Sequence, residues 1–196
     1  MSDETLAEPV SGEDSSTPTR VPVSLDELRL SYQSAVSLQN SAMLDLASAV
    51  REATGADFDP IFVVDIWRVT TAERLRVLFT GLEHFGTPYM GLDGEPIEFD
   101  CSGLTLAAWK SVGVELPHWS AAQQAGSIPA DPNGPRPADM LFYEGGPTAG
   151  GPLNIGHVGL VFAPGFTLES TPSNGVWVRS IFNRDTLVAM GYPAGF

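Results

Sequence analysis

The stretch Phe99-Asp100-Cys101-Ser102-Gly103-Leu104 decides how the chain is read. Its cysteine is the only one in 196 residues, so neither a disulfide framework nor a multi-cysteine zinc site can form within one copy. Asp100 stands where a helix N-cap belongs. Leu104, Ala108 and Trp109 then mark one side of a helix predicted over 101–112, with Gly113 after its end. A loop containing Gly91, Asp93 and Gly94 leads in. Cys101 thus falls in a first helical turn, where unpaired backbone N–H groups and the helix dipole favour negative charge. A thiolate at such a place is stabilised and becomes the stronger nucleophile near neutral pH. The same N–H groups can hold the oxyanion formed when sulfur attacks a carbonyl. The competing reading of Cys101 is a small hydrophobe tucked under its own helix.

A thiol nucleophile needs a base that also protonates the leaving amine, and histidine suits because it titrates near neutrality. Three are available. His84 sits beside Glu83 at the end of a helical stretch and reads as a surface or packing residue. His118 follows Leu116-Pro117 in a turn and could line a cleft rim. His157 opens a run with strand alternation, Val158, Leu160 and Phe162 against Gly159 and Val161, and Gly156 before it lets the backbone pass close to a neighbour. An imidazole so used needs a third group to fix its tautomer. If 158–162 and 166–169 form a hairpin through Pro164-Gly165, Glu169 lies on the adjacent strand. Otherwise it is an exposed edge charge.

Outward from this centre the chain divides into three parts. Residues 1–22 form an acidic tail rich in Ser, Thr, Pro, Glu and Asp, predicted to be disordered. Residues 23–70 are a helical extension and connector. A helix is predicted over 24–54, with Ser24 and Glu27 as a capping box, Val23 and Leu28 as a hydrophobic staple and Gly55 as the stop. Its apolar positions Leu25, Leu28, Tyr32, Ala35, Ala42, Leu46 and Ala49, interrupted by Gln39, alternate by four and three; Val36, Met43 and Val50 widen the stripe. Either this helix lies on the following domain, or it docks a protein partner in a coiled coil. Residues 57–69 read as a connector and then a short strand or buried segment. Thr70 with Glu73 opens a second capping box, and Leu75, Leu78, Phe79 and Leu82 mark a helix ending near Gly86, before Pro88. From residue 71 to 196 the chain reads as one α+β domain: helices first, then strands at 140–143, 157–163, 166–170 and 175–181. Ser120 and Gln123 are candidate caps of a short helix.

The net charge of −14 argues against nucleic-acid and anionic-membrane partners. No run approaches the ~18 apolar residues of a membrane span. The first twenty residues lack the basic start and apolar run of a Sec signal peptide, so non-Sec secretion, release by lysis or carriage on a phage particle is expected.

Five segments, taken in chain order from about Leu78 to Ile181, resemble the NlpC/P60 family of bacterial cell-wall endopeptidases. They are Gly86-Thr87-Pro88-Tyr89, the Phe99–Leu104 nucleophile segment, Leu116-Pro117-His118-Trp119-Ser120-Ala121-Ala122-Gln123, Pro137-Ala138-Asp139-Met140-Leu141-Phe142-Tyr143 and Ile155-Gly156-His157-Val158-Gly159-Leu160-Val161. The resemblance implies a papain-like α+β fold, with the cysteine on a helix and the histidine on an antiparallel sheet. It implies hydrolysis of a peptidoglycan stem-peptide amide, typically D-γ-glutamyl to diaminopimelate, without cofactor or metal. It casts Cys101, His157 and Glu169 as the catalytic set. Tyr89 would shape the oxyanion region and Asp100 would support the cleft. Ser102 and Ser120 would line the substrate channel. Two features depart from the family pattern. Ala138 stands where Gly is usual, and Gly145–Asn154 is a Gly-rich insertion, either a flap over the cleft or a longer turn. Other classes compatible with the same residues are an assembly or exported effector protein that only carries this fold, and a thiol amidase or acyltransferase acting on lipid or protein.

Overall fold

The computed structural model describes residues 24–89, 99–146, 149–181 and 185–196. The expected acidic tail, the Val23 staple position, the side chains of Leu25, Glu27 and Leu28, and the loop 91–94 lie outside the described residues. Two compact units divide between Leu38 and Gln39. The first is described only by Ser24 and the opening part of helix α1 (Leu25–Thr54), on which Leu30, Tyr32 and Leu38 are exposed.

Among its described residues the second unit contains the rest of α1, four further helices and a six-stranded sheet. Helix α1 ends as expected at Gly55, whose φ of +65° gives the left-handed turn and whose N–H reaches the Arg51 carbonyl. Its buried face, however, is one residue over from the expected one. Met43, Ala47 and Val50 are buried, whereas Ala42 and Ala49 are exposed and Leu46 is half-buried. The four-and-three spacing is kept. The larger Met43 and Val50 offer more apolar area than the alanines and so set which side turns inward.

The segment expected after residue 57 as a short strand or a buried segment is helix α2 (Pro60–Arg68), buried on one face, and not a strand. Asp59 caps it by accepting from the Ile61 N–H, and Pro60 occupies the first turn, where its missing N–H costs nothing. The β-branched run misled the reading. Val63, Val64 and Trp67 are spaced for one helical face, and all three are buried. Trp67 also donates its indole N–H to the Phe162 carbonyl at 3.0 Å, fixing α2 to the sheet. Helix α3 (Ala72–Leu82) starts one residue later than predicted. Thr71, not Thr70, is the cap and accepts from the Arg74 N–H; the Thr70 hydroxyl bonds back to the Ile66 carbonyl at the end of α2. Helix α4 (Cys101–Lys110) and helix α5 (Ser120–Ala125) follow.

The sheet comprises β1 (Ser127–Pro129), β2 (Met140–Glu144), β3 (Ile155–Ala163), β4 (Phe166–Thr171), β5 (Gly175–Ser180) and β6 (Leu187–Pro193). Its order is β1-β6-β2-β3-β4-β5, with antiparallel neighbours throughout. The two strands the sequence reading omitted, β1 and β6, form one edge. β1 is three residues long, and β6 (LVAMGYP) carries Gly and Pro that mask its alternation. The core runs through the expected boundary at residue 70: Met43, Val50, Phe58 and Trp67 share one buried cluster with Leu78, Leu104, Phe162 and Leu168. A second cluster joins Ala108 and Trp109 of α4 to Met140, Val158 and Leu160. The described residues of the Gly145–Asn154 insertion fold into paired turns: the Gly145 N–H reaches the Asn154 carbonyl, and Gly150 bridges Ile155. Among the described residues no helix is long and apolar enough to cross a membrane.

Asp139 ties the C-terminal part to α3. Its buried carboxylate lies 2.7 Å from the Arg74 guanidinium and also accepts from the Arg136 N–H. The preceding Ala138 has φ +70°, a left-handed backbone that costs an alanine about 1–2 kcal/mol.

Two outcomes follow from this packing. Removing residues 1–38 is expected to leave the melting temperature of the remainder nearly unchanged, whereas removing 1–56 strips Met43, Ala47 and Val50 from the core and lowers it by well over 10 °C, read by thermal denaturation. Asp139→Ala, which leaves Arg74 buried without its partner, is expected to cost about 3–5 kcal/mol in urea unfolding.

Candidate active site

The site forms where the start of α4 meets β3 and β4. Asp100 caps α4 as the sequence predicted: its carboxylate accepts from the Gly103 N–H at 2.6 Å and from the Ser102 hydroxyl at 3.0 Å. Cys101 is therefore the first helical residue, with its thiol at the positive end of the helix dipole. The same Asp100 oxygen lies 3.0 Å from His118 Nε2, which places His118 at the exposed rim next to the nucleophile.

Gln123 holds this turn from behind. It was expected, with Ser120, to cap α5, but the cap position is Trp119 and makes no side-chain cap bond. Gln123 is buried. Its amide donates to the Ser102 and Pro117 carbonyls at 3.0 and 2.9 Å and accepts from the Thr105 hydroxyl at 2.7 Å. Ser120 and Ser102 are also buried, at 3% and 4% exposure, and so stand behind the rim formed by His118 and Trp119.

β3 brings His157 to the site. Its Nε2 donates to Glu169 Oε2 at 2.8 Å, across the β3–β4 hairpin that the Pro164-Gly165 turn closes. The carboxylate is fully buried and the ring side chain is 19% exposed. With Nε2 committed to Glu169, Nδ1 is the nitrogen left for the sulfur. Burial works against charge on this ring, but hydrogen bonding to Cys101 and Glu169 and the negative charge of both outweigh it, raising the His157 pKa from 6.5 to about 9. Tyr143, paired with His157 across β2 and β3, sets its ring 5.5 Å from the imidazole.

Glycines make these approaches possible. A Cβ at Gly159 would come within 2.4 Å of the Thr167 hydroxyl and 3.1 Å of Glu169 Cβ, so only glycine lets β4 carry the carboxylate this close. A Cβ at Gly156 would meet the Gly145 carbonyl oxygen at 1.7 Å. Ser170 donates to the Phe99 carbonyl, tying β4 to the residue that precedes the helix cap. Tyr89 lies close enough to Cys101 and Asp100 that, after burial, their charges help push its pKa up; the phenol stays protonated and is an O–H donor. The segment before it is held by β5: the Gly86 N–H reaches the Val176 carbonyl, and the Val176 N–H reaches Thr87.

The structure thus brings Cys101, His157, Glu169, Tyr89 and Asp100 together. His84 is half-buried, with its ring 4.3 Å from Phe99. Two further residues join the site: Gln123, whose spacing from Ser120 suggests a cap, and Arg179 on β5, whose Nη1 lies 3.4 Å from Glu169 Oε1 and which carries no sequence signal beyond its place in a strand. Among the described residues no three His, Cys, Asp or Glu side chains converge as a metal site.

A cysteine at a helix start set against a histidine on an antiparallel sheet defines a papain-like α+β fold. The chain belongs to the NlpC/P60 family, whose model matches residues 86–187. A protein of Mycobacterium tuberculosis named "Probable endopeptidase" is 32% identical over 110 residues, covering 56% of this chain and 26% of that one. "Probable endopeptidase p60" of Listeria grayi is 32% identical over 99 residues, covering 50% and 18%. The chain therefore spans about a quarter or less of these curated relatives. Among solved structures, an NlpC/P60 family protein from Bacillus cereus superposes with a TM-score of 0.52 at 23% identity, covering 63% of this chain and 40% of that one. RipD of Mycobacterium tuberculosis, described as a non-catalytic NlpC/p60 domain protein adapted to peptidoglycan binding, gives 0.51 at 22%, covering 62% and 98%.

The raised His157 pKa has a consequence for stability that needs no substrate. The folded state holds the ring's proton more tightly than the unfolded chain does, so the stabilisation is fully present below about pH 6.5 and is lost as pH rises through about 9. Urea unfolding between pH 6 and 10 is expected to show this loss, a few kcal/mol at most, and His157→Gln is expected to flatten it.

Proposed function

We propose that the chain is a cysteine peptidase that hydrolyses an amide bond of the peptidoglycan stem peptide, of the D-γ-glutamyl–diaminopimelate type. The observation that carries this reading is the 2.8 Å bond from His157 to the buried Glu169, on a ring whose proton affinity is also raised by Cys101 at the start of α4. The names of the relatives and the family membership favour peptide-bond hydrolysis.

In the proposed cycle His157 holds the proton taken from Cys101. The sulfur attacks the scissile carbonyl carbon, and the oxygen that becomes negative accepts hydrogen bonds from the Cys101 N–H and the Tyr89 hydroxyl. As the C–N bond breaks, His157 gives its proton to the departing amine, leaving an acyl thioester. Water then attacks the thioester, one of its protons passes to His157, the C–S bond breaks to restore thiolate and imidazolium, and the carboxylic acid product leaves and gives its proton to solvent. Glu169 fixes the ring and stabilises its charge. Asp100 and Gln123 hold the helix start against recoil. His118 and Trp119 form the rim that substrate passes.

The site also bears on the binding-only alternative that RipD represents. Here a cysteine, a histidine and a buried carboxylate are combined with a protonated phenol, an arrangement that binding alone does not require.

Incubation with purified peptidoglycan is expected to release fragments with new amino termini, read by mass spectrometry. Cys101→Ala is expected to lose on the order of 10³-fold or more in rate while still sedimenting with the wall. Cleavage that survives this substitution contradicts the assignment of the nucleophile, and binding without cleavage by the unsubstituted protein supports the binding-only reading.

A further inference from the structure

Burying a carboxylate without exposure to solvent drives it towards its neutral form, and a neutral Glu169 would no longer stabilise an imidazolium. Glu169 has two oxygens. Oε2 accepts from His157, and Oε1 faces the Arg179 guanidinium at 3.4 Å. Arg179 comes from β5. Glu169 pairs with Trp177 and Thr167 with Arg179, so Arg179 is the diagonal neighbour of Glu169 on the same sheet face. Its side chain is 41% exposed, which leaves its charge hydrated while one end touches the buried oxygen. An arginine suits such a position, since its charge persists at every working pH and its planar head meets a carboxylate edge.

We propose that Arg179 is a positioning residue for the reaction, a counter-charge that keeps Glu169 ionised and holds its Oε2 towards His157. This inference rests on the peptidase reading above. Among the described residues, charged and titratable groups that face the Glu169–His157 pair include Cys101 from α4, Tyr143 from β2 and Arg179 from β5. Cys101 and Tyr143 supply no permanent positive charge. In the resting pair the imidazolium itself holds Glu169 ionised, but when the ring gives up its proton during turnover that support disappears. Arg179 then remains as a permanent cation at the carboxylate, which disfavours uptake by Glu169 of the proton that belongs to the leaving amine.

The inference is tested on the full chain, carrying ¹³C-labelled glutamate, by following the Glu169 carboxyl carbon shift with pH. In Arg179→Gln the midpoint is expected to rise by about one pH unit or more, and the acid limb of kcat/KM on peptidoglycan is expected to rise with it. Arg179→Lys, which restores charge without the planar head, is expected to recover most of both shifts. Circular dichroism reports whether each variant is folded. A Glu169 midpoint that stays in place in folded Arg179→Gln overturns the proposal, as does a lysine variant that behaves like the glutamine one. Because the carboxyl titration needs no turnover, a protein that cleaves nothing but still shows the charge-dependent shift defeats the peptidase reading and leaves the electrostatic coupling standing.

Discussion

A carboxylate cut off from water costs several kcal/mol unless a positive or donating group meets it. Glu169 is so placed, on a strand interior with no exposed side-chain surface, and the imidazole of His157 meets it at 2.8 Å. The rest of the site is arranged around that pair. Once Nε2 points into the sheet, the other nitrogen must point out of it, towards the start of α4. Cys101 and the negative carboxylate together hold the ring in its protonated form well above the usual range. One interaction thereby sets the direction of the group that serves the sulfur and supports its charge.

The fold has to deliver three elements to within bonding distance of one another, and each junction is fixed by a specific contact. Gly159 removes the side chain that would keep β4 from β3 at the height of Glu169. Ser170 joins β4 to the Phe99 carbonyl just ahead of the helix cap. Gln123 ties the first turn of α4 to the Pro117 turn, so the cysteine-bearing helix is held from its buried side as well as by its own cap. Trp67 and the Arg74–Asp139 pair anchor the helices behind this junction to β3 and β2. A displacement at any of these points moves the sulfur relative to the ring without touching either.

The parts legible in the sequence were those whose signal is local. Asp100 before Cys101 announces the cap, and Gly113 announces the stop. The Pro164-Gly165 turn between two alternating runs sets the hairpin that brings Glu169 to His157. Local signals failed where a pattern serves two structures. The run IFVVDIW is β-branched and apolar, yet Asp59 and Pro60 begin a helix there. Gln123 sits three residues after a serine, as in a capping box, yet its amide is used across the core. Arg179 illustrates a third limit. Its contact with Glu169 depends on a diagonal across two paired strands, and that is known only when the register is known. The turn Thr171-Pro172-Ser173-Asn174 would have allowed the register to be counted, but nothing in the residue type alone marks Arg179 as facing a buried acid.

The protonation of the His157 ring is the most direct measure of whether this pair governs the site. The ¹⁵N chemical shifts of its two ring nitrogens, recorded on the substrate-free protein near pH 7.5, are expected to be those of an imidazolium, with both nitrogens carrying protons. Shifts of a neutral ring, with one nitrogen bare at that pH, would contradict it: the buried carboxylate and Cys101 would then not be holding the charge that the chemistry requires.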